Sequence, residues 1–129
     1  METRYEPLRE PFSTADAEYP QVTSERGCLR VVFRDWQEKV ITLLFHDVAA
    51  YSWDDGDASV DTNHRDDCSY VVHNSPWLAR HREVGNLLPS EDHRHYKLCF
   101  NAAGVLQVLA SRLEVLAEPK VTPDCGGIT

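Results

Sequence analysis

An acidic segment in the middle of the chain has the residue types with the clearest chemical potential. Residues 54–67 read DDGDASVDTNHRDD, which gives a net charge of −5 in a chain whose total is −8. A carboxylate cluster of this kind can hold a cation, attract a basic partner or keep a loop soluble. The segment is therefore the first candidate site. Its carboxylates are Asp54, Asp55, Asp57, Asp61, Asp66 and Asp67.

The spacing within this segment does not match a calcium-binding loop. An EF-hand loop places glycine sixth, after acidic or amide residues at positions one, three and five, and ends on a glutamate at position twelve. Here Gly56 comes too early, and residues 54–67 contain no glutamate. We therefore predict no cofactor. Three interpretations stay open: a solvated loop, an interaction loop that docks a basic surface, and weak or adventitious calcium binding.

A tryptophan in a polar turn is the second candidate for partner binding. Trp36 lies in the sequence RDWQEK, with charged residues on both sides. Tryptophan is enriched among the residues that dominate binding energy at protein interfaces, so an exposed Trp36 would suit a partner contact. The alternative is a turn tryptophan that folds back over the sheet.

The histidines supply an alternative based on a metal ion. His93 and His95 are two residues apart, so on a strand they share a face. Together with Asp47 they could form a site of two imidazoles and one carboxylate. The chain has no HExxH motif, however, and an H-x-H spacing is common by chance. A small metal-dependent enzyme or metal binder is therefore the alternative, and the principal prediction is that no metal is bound.

Nucleophilic catalysis has little support in the sequence. There is no G-x-S-x-G motif, and the six glycines do not form a phosphate-binding loop. Cys68 follows His64 and Asp67, but neighbouring acids disfavour the thiolate that a nucleophile needs. The four cysteines form no CxxC pair, which argues against a zinc ribbon. Cys28 and Cys99 lie in apolar runs, where a free thiol behaves as a small hydrophobic residue. Disulfides stay possible, but a cytoplasmic compartment disfavours them.

Composition limits the classes of partner. The chain has 129 residues, enough for one domain, and 42% of them are hydrophobic. A sequence pI near 5.1 argues against nucleic acid and against an anionic membrane surface, because both repel a net anion. The sequence contains no run of the ~20 apolar residues that a membrane span requires, and residues 1–12 do not resemble a signal peptide. We therefore predict a cytoplasmic protein.

The order of polar and apolar residues predicts one domain with three parts. These are an irregular arm (1–26), a β-rich body (28–117) and a tail (118–129). Period-two alternation and β-forming residues predict the strands. They span residues 28–34, 39–45, 48–53, 69–73, 95–100, 105–109 and 113–116, with a short edge strand near 4–8. Residues 46–47 are predicted to be a tight bend or a bulge. A helix over 102–117 competes with the last two strands, because Ala, Leu and Gln are good helix formers.

One helix has clear boundary signals. Ser75 is a favourable N-cap residue, and Pro76 at the first helical position loses no hydrogen bond. Gly85 is a suitable residue just after the helix. These signals predict a helix over 76–84. The predicted fold class is therefore α+β, with a mainly antiparallel, strongly curved sheet and one helix against it.

Three segments of the body resemble a group of small, uncharacterised bacterial β-rich proteins. The segments are F-x-D-V-x-x-Y from Phe45 to Tyr51, S-P-W-L from residue 75, and HY-x-L-x-F-x(4)-V-x-x-VLA over 95–110. The resemblance covers residues 28–117, and some proteins of this kind are thought to be immunity proteins of toxin systems. It implies no catalytic residue.

These observations favour a non-enzymatic function. The leading hypothesis is an acidic binding protein that uses the six aspartates and Trp36 to dock a basic protein partner. An immunity protein that neutralises a basic toxin is one form of this hypothesis. The alternatives are the metal-dependent enzyme or metal binder and a structural homodimer.

Overall fold

The computed structural model describes residues 2–8, 12–55, 67–87 and 92–116. Within these ranges the chain forms nine strands and one helix. In chain order they are β1 (Arg4–Pro7), β2 (Gln21–Glu25), β3 (Cys28–Arg34), β4 (Val40–His46), β5 (Ala50–Asp54), β6 (Ser69–His73), α1 (Pro76–Glu83), β7 (Arg94–Phe100), β8 (Gly104–Ala110) and β9 (Arg112–Leu116).

The strands form two antiparallel sheets that pack face to face. The first sheet has the order β1-β6-β7-β8-β5, and the second has the order β2-β3-β4-β9. Alternate apolar residues of β3, β4, β7 and β8 form one core cluster. Phe33 contacts Phe100 across the two sheets with ring centroids 5.1 Å apart, and Phe45 contacts Tyr96 at 5.4 Å. The body is therefore a β-sandwich.

The antiparallel pairing and the single helix confirm the coarse prediction, but the predicted curved sheet is divided in two. The division arises at two short connections. Residues 47–49 lead from β4 in the second sheet to β5 in the first, and Ser111 alone separates β8 in the first sheet from β9 in the second. Residues 46–47 are thus a tight bend between sheets, with Asp47 at a positive φ of 55°, and not a bulge within one long strand.

Of the two predictions for residues 102–117, a helix or two strands, the structure confirms the strands. Residues 104–110 and 112–116 form β8 and β9, and every second residue of the first faces the core. In the predicted arm, the edge strand near 4–8 is confirmed as β1. The arm also contributes β2, which the polar sequence QVTSE did not indicate. The predicted tail lies outside the described residues.

The helix begins and ends where its sequence signals predicted. Ser75 is the N-cap, and its Oγ accepts a hydrogen bond from the backbone N–H of Leu78 at 3.1 Å. Pro76 is the first helical residue, and Gly85 adopts a positive φ of 84° just beyond the last turn. Leu78 packs against Leu109, so α1 covers part of the outer face of the first sheet. No helix of the described ranges is long and apolar enough to cross a membrane.

Candidate functional site

One end of the sandwich brings together residues that are far apart in sequence. Phe33 near the end of β3 contacts Phe100 at the end of β7, so the β3–β4 and β7–β8 turns lie at the same end. Asp54 at the end of β5 pairs with Val105 at the start of β8, which places the beginning of the acidic segment there too. We call this region, formed by residues 14–19, 34–40, 53–55, 67–68 and 100–105, the acidic end.

The β3–β4 turn holds Trp36 in solvent. The Asp35 carboxylate is buried, and its Oδ1 accepts hydrogen bonds from the backbone N–H groups of Gln37 at 2.9 Å and Lys39 at 2.8 Å. Backbone hydrogen bonds between residues 35 and 39 close the same turn. Trp36 remains 59% exposed at its tip. It therefore has the exposure that a partner contact requires and does not fold back over the sheet.

Asp55 is fixed by two aromatic side chains. Its Oδ1 accepts hydrogen bonds from the Trp53 indole Nε1 at 2.6 Å and from the Tyr19 hydroxyl at 2.7 Å. The hydrogen bond from Trp53, followed by the one from Tyr19, lowers the pKa of Asp55 below its ordinary value. The two rings lie with centroids 5.1 Å apart. The acidic segment thus begins with a charged carboxylate in a defined position.

Gly104 leaves room for the end of β5 and for the Trp53 ring because it has no side chain. A Cβ atom at this position would contact the Asp54 carbonyl oxygen and would lie 2.7 Å from Cζ2 of Trp53. A residue with a side chain would therefore displace the end of β5. The loop of residues 101–104 thus contributes to the acidic end, because Gly104 makes room for the start of the acidic segment.

The other predicted aspartates are only partly described. Asp57, Asp61 and Asp66 lie outside the described residues. Asp67 is half-buried at the far end of the acidic segment, and its Oδ1 accepts a hydrogen bond from the Cys68 thiol at 3.4 Å. The structure therefore places Trp36 and three of the six predicted aspartates at one end of the molecule. These three are Asp54, Asp55 and Asp67.

The contribution of the N-terminal arm to the acidic end was not predicted from the sequence. Tyr19 is 61% exposed, and Glu18 donates its backbone N–H to the Arg34 carbonyl oxygen at 2.9 Å, which holds the arm beside the Trp36 turn. A surface cavity of about 180 Å³ lies between Tyr19 and residues Arg34 and Val40. Only the proline-rich composition of residues 1–26 was visible in the sequence, and it gives no sign of this placement.

Exposed acids outnumber exposed bases at this end. The exposed acids are Asp16, Glu18, Glu38, Asp54 and Asp55, and the exposed bases are Arg34 and Lys39. An excess of negative charge on one surface attracts a basic partner and speeds its association.

The residues of the metal hypothesis have other partners. His95 Nε2 lies 2.7 Å from Gln107 Oε1, which can only accept, so Nε2 donates. Nδ1 of the neutral ring then accepts from Ser75 Oγ at 2.7 Å. Burial lowers the pKa of His95 to about 4, so the ring is neutral near pH 7. Both of its nitrogens are engaged, which leaves neither for a metal ion.

His93 and Asp47 meet, but not through the groups a metal would need. His93 Nε2 lies 2.7 Å from the backbone carbonyl oxygen of Asp47, and the Asp47 carboxylate accepts from Ser111 Oγ at 2.7 Å. Among the described residues, no group of three His, Cys, Asp or Glu side chains is placed to hold a metal ion. The arrangement around His93 and His95 therefore fits a structural role.

A thiol, an imidazole and a carboxylate meet on the second sheet, at the end opposite the acidic end. Cys28 Sγ lies 3.9 Å from His46 Nδ1, and His46 Nε2 lies 3.0 Å from Glu114 Oε1. Sequence analysis could not find this group, because its members lie on three different strands. Cys28 is only 4% exposed, so its thiol is shielded from a substrate in solution. Cys28 and Cys99 are both buried, as their apolar surroundings in the sequence predicted.

Two larger cavities, of about 390 and 480 Å³, border His93 and Asp92 beside helix α1. Their polar residues include Glu6, His73, Asp47 and Ser111. Glu6 and His73 form a hydrogen-bonded pair at 2.6 Å, and Ser111 is bonded to Asp47. These side chains thus satisfy one another, and the acidic end remains the stronger candidate site.

Comparison of the chain with protein-family models, with curated proteins and with solved structures found no match. The resemblance of residues 28–117 to small bacterial proteins therefore stays a prediction.

Proposed function

We propose that this chain is a non-enzymatic binding protein that docks a basic protein surface through its acidic end. The observation that carries the proposal is the placement of an exposed, braced Trp36 at the same end as the fixed carboxylate of Asp55. Tryptophan is enriched among the residues that dominate binding energy, and charged groups at the rim of an interface speed association with a partner of opposite charge.

Preorganisation supports the choice of Trp36 as the anchor. An exposed side chain on a flexible loop loses conformational entropy when a partner orders it, and this loss weakens binding. The buried Asp35 carboxylate already bonds the backbone of Gln37 and Lys39, so the turn is ordered before any partner arrives. More of the free energy of burying the indole is then available for affinity.

Charge supports the choice of a basic partner. The exposed acids of this end lie on three separate segments, the arm, the β3–β4 turn and the start of the acidic segment. Opposite charges on the partner would be attracted before contact, and the attraction would weaken with salt because exposed charges are screened beyond ~8 Å at physiological ionic strength.

The immunity function suggested by the sequence resemblance is the narrower form of this proposal. In that form the partner is a basic toxin, and the acidic end masks its functional surface. No catalytic step by this chain is required, which agrees with the buried or mutually bonded state of the nucleophiles and histidines described above. Copurification from the native host is the experiment that would identify this toxin.

The proposal is tested by association kinetics with that copurified partner. We expect Trp36→Ala to weaken binding at least tenfold, mainly by faster dissociation. The combined change of Asp54, Asp55, Asp57 and Asp61 to Asn should slow association and flatten its dependence on salt.

Matched controls lie away from the acidic end. Val84→Ala removes an apolar side chain that is 63% exposed directly after helix α1, and Asp92→Asn removes an exposed charge beside the same helix. Both should bind as the unmodified protein does. If the acidic-end variants bind like these controls at every salt concentration, the interface lies elsewhere and the proposal is wrong.

A further inference from the structure

Strand β5 is an edge strand whose middle is exposed on both sides. Among the described residues it pairs with β8 alone. Successive residues of a strand point to opposite faces, and here Tyr51, at 45% exposure, and its neighbour Ser52 are both exposed. Neither face of the strand is therefore covered at this point.

β5 lacks the features that protect exposed edges from pairing. Native edge strands are commonly protected by Pro, by Lys or by other charges along their length. β1 carries Arg4 and Glu6 and ends on Pro7, β9 carries Arg112 and Glu114, and β2 is mostly polar and ends on Glu25. The sequence of β5, AYSWD, has no charge before its last residue and contains two aromatic residues. Of the four edges it is the most suited to accept another strand.

We infer that the basic partner adds an extended segment to β5 as a sixth strand of the first sheet. This inference rests on the proposed function and specifies how the partner is held. In such an addition, main-chain hydrogen bonds supply affinity, and side chains opposite the edge strand supply specificity. The first sheet then continues without a break from the chain into its partner.

Antiparallel pairing and charge together set the direction and the sequence of the added segment. β5 ends at Asp54, and Asp55 follows with its carboxylate held by Tyr19 and Trp53. All neighbouring strands of both sheets are antiparallel, so the added strand is taken to run against β5. Its N-terminal residues then lie beside the aspartates and should be Lys or Arg. A β-branched or aromatic residue should follow, opposite Tyr51.

The test uses a synthetic peptide with two lysines at its N-terminus followed by alternating valine and threonine. The peptide is titrated to millimolar concentration into isotopically labelled full-length protein, and amide hydrogen exchange is followed residue by residue. We expect exchange to slow at least tenfold for those amides of residues 51–54 that point away from β8. A peptide with N-methylated backbone amides at alternate positions, made in both registers, should lose this protection in one register.

Further comparisons test the charge of the added segment and its direction one at a time. A peptide with glutamates in place of the lysines, and one with the sequence reversed, should each bind at least tenfold more weakly. Ser52→Lys introduces a protective charge into β5 and should weaken binding of the lysine peptide by a similar factor. Ser24→Lys makes the same change on the exposed edge strand β2 and should have no such effect.

The outcomes distinguish this inference from the proposed function. If the lysine peptide binds with salt dependence but the amides of residues 51–54 exchange as before, strand addition is wrong and docking of a basic surface stands. Equal binding of the reversed or the glutamate peptide also overturns the inference. Unchanged exchange at saturating peptide, together with unaltered binding of the copurified partner by the acidic-end variants, overturns both.

Discussion

Asp16 and Asn101, 85 residues apart in sequence, exchange two hydrogen bonds at the acidic end. Asn101 Oδ1 accepts from the backbone N–H of Asp16 at 2.7 Å, and Asn101 Nδ2 donates to the Asp16 carboxylate at 3.0 Å. The pair ties the N-terminal arm to the β7–β8 turn. Because Tyr19 follows three residues later, the same pair helps to position the hydroxyl that holds Asp55.

Asn101→Ala should therefore loosen the arm without unfolding the sandwich. The variant loses two partly exposed hydrogen bonds, and we expect the free energy of unfolding to fall by about 1 kcal/mol. Amide exchange should become faster in residues 15–19. Ala102→Ser, in the same turn, is the control and should leave both quantities unchanged. Unaltered exchange in residues 15–19 of Asn101→Ala would show that other contacts hold the arm.

Gly104→Ala should be more damaging than its size suggests. The added methyl group would meet the Asp54 carbonyl oxygen and the Trp53 ring, so β5 or the indole must shift. Overpacking of this kind costs about 1–3 kcal/mol. Urea denaturation measures the loss, and Ala102→Ser again serves as the control. A fully stable Gly104→Ala protein would mean that the end of β5 adapts freely.

Asp35→Ala and Trp36→Ala should differ in their effects on stability. Asp35 is buried and accepts two backbone hydrogen bonds, so its loss leaves donors unsatisfied and should cost about 1–3 kcal/mol of unfolding free energy. Trp36 is mostly exposed, and its loss should change the unfolding free energy by about 0.5 kcal/mol or less. Urea denaturation of the two variants tests this contrast. A large destabilisation by Trp36→Ala would indicate that the indole supports the fold.

The buried ring of His95 predicts a specific loss of stability in acid. Burial lowers the pKa of His95 in the folded protein to about 4, while the unfolded chain titrates near 6.5. Below pH 6.5 the unfolded chain therefore binds a proton that the folded protein does not. The stabilisation is complete above pH 6.5, falls as the pH drops towards 4, and is reduced by about 3 kcal/mol once the pH is below both values.

Unfolding free energies measured from pH 7 to pH 4 test this prediction, with His95→Gln and His81→Gln compared to the unmodified protein. His95→Gln should lose this part of the pH dependence. His81→Gln should keep it, because His81 lies on the helix and bonds only the exposed Asn86 among its described side-chain partners. Equal pH dependence in all three proteins would show that His95 is protonated without cost.

Local signals in the sequence predicted the elements well and their partners poorly. Ser75, Pro76 and Gly85 act within a few residues of one another, so they located the helix. Alternation located β8 and β9, because it reports which face of a strand is buried. Alternation does not report which strand lies alongside, so the division into two sheets was not predicted.

For the candidate site, the sequence likewise indicated individual residues but not the contacts between them. The charged neighbours of Trp36 were visible in the sequence, but they left open whether the indole is exposed or folds back over the sheet. The hydrogen bond between Tyr19 and Asp55 joins residues 36 positions apart and depends on how the arm crosses the sandwich. Ser75 and Gln107 occupy the two nitrogens of His95, and no spacing rule reveals that.

The β3–β4 turn leaves and re-enters the same sheet through the directly paired residues Arg34 and Val40. Its five connecting residues can therefore change in sequence or in length without altering which strands are neighbours. The short connection at Ser111 has no such freedom, since it sends the chain from one sheet to the other and its N–H bonds the His46 carbonyl oxygen. In related chains, changes in the sequence or length of the Trp36 turn could therefore alter which partner is bound without altering the fold of the sandwich.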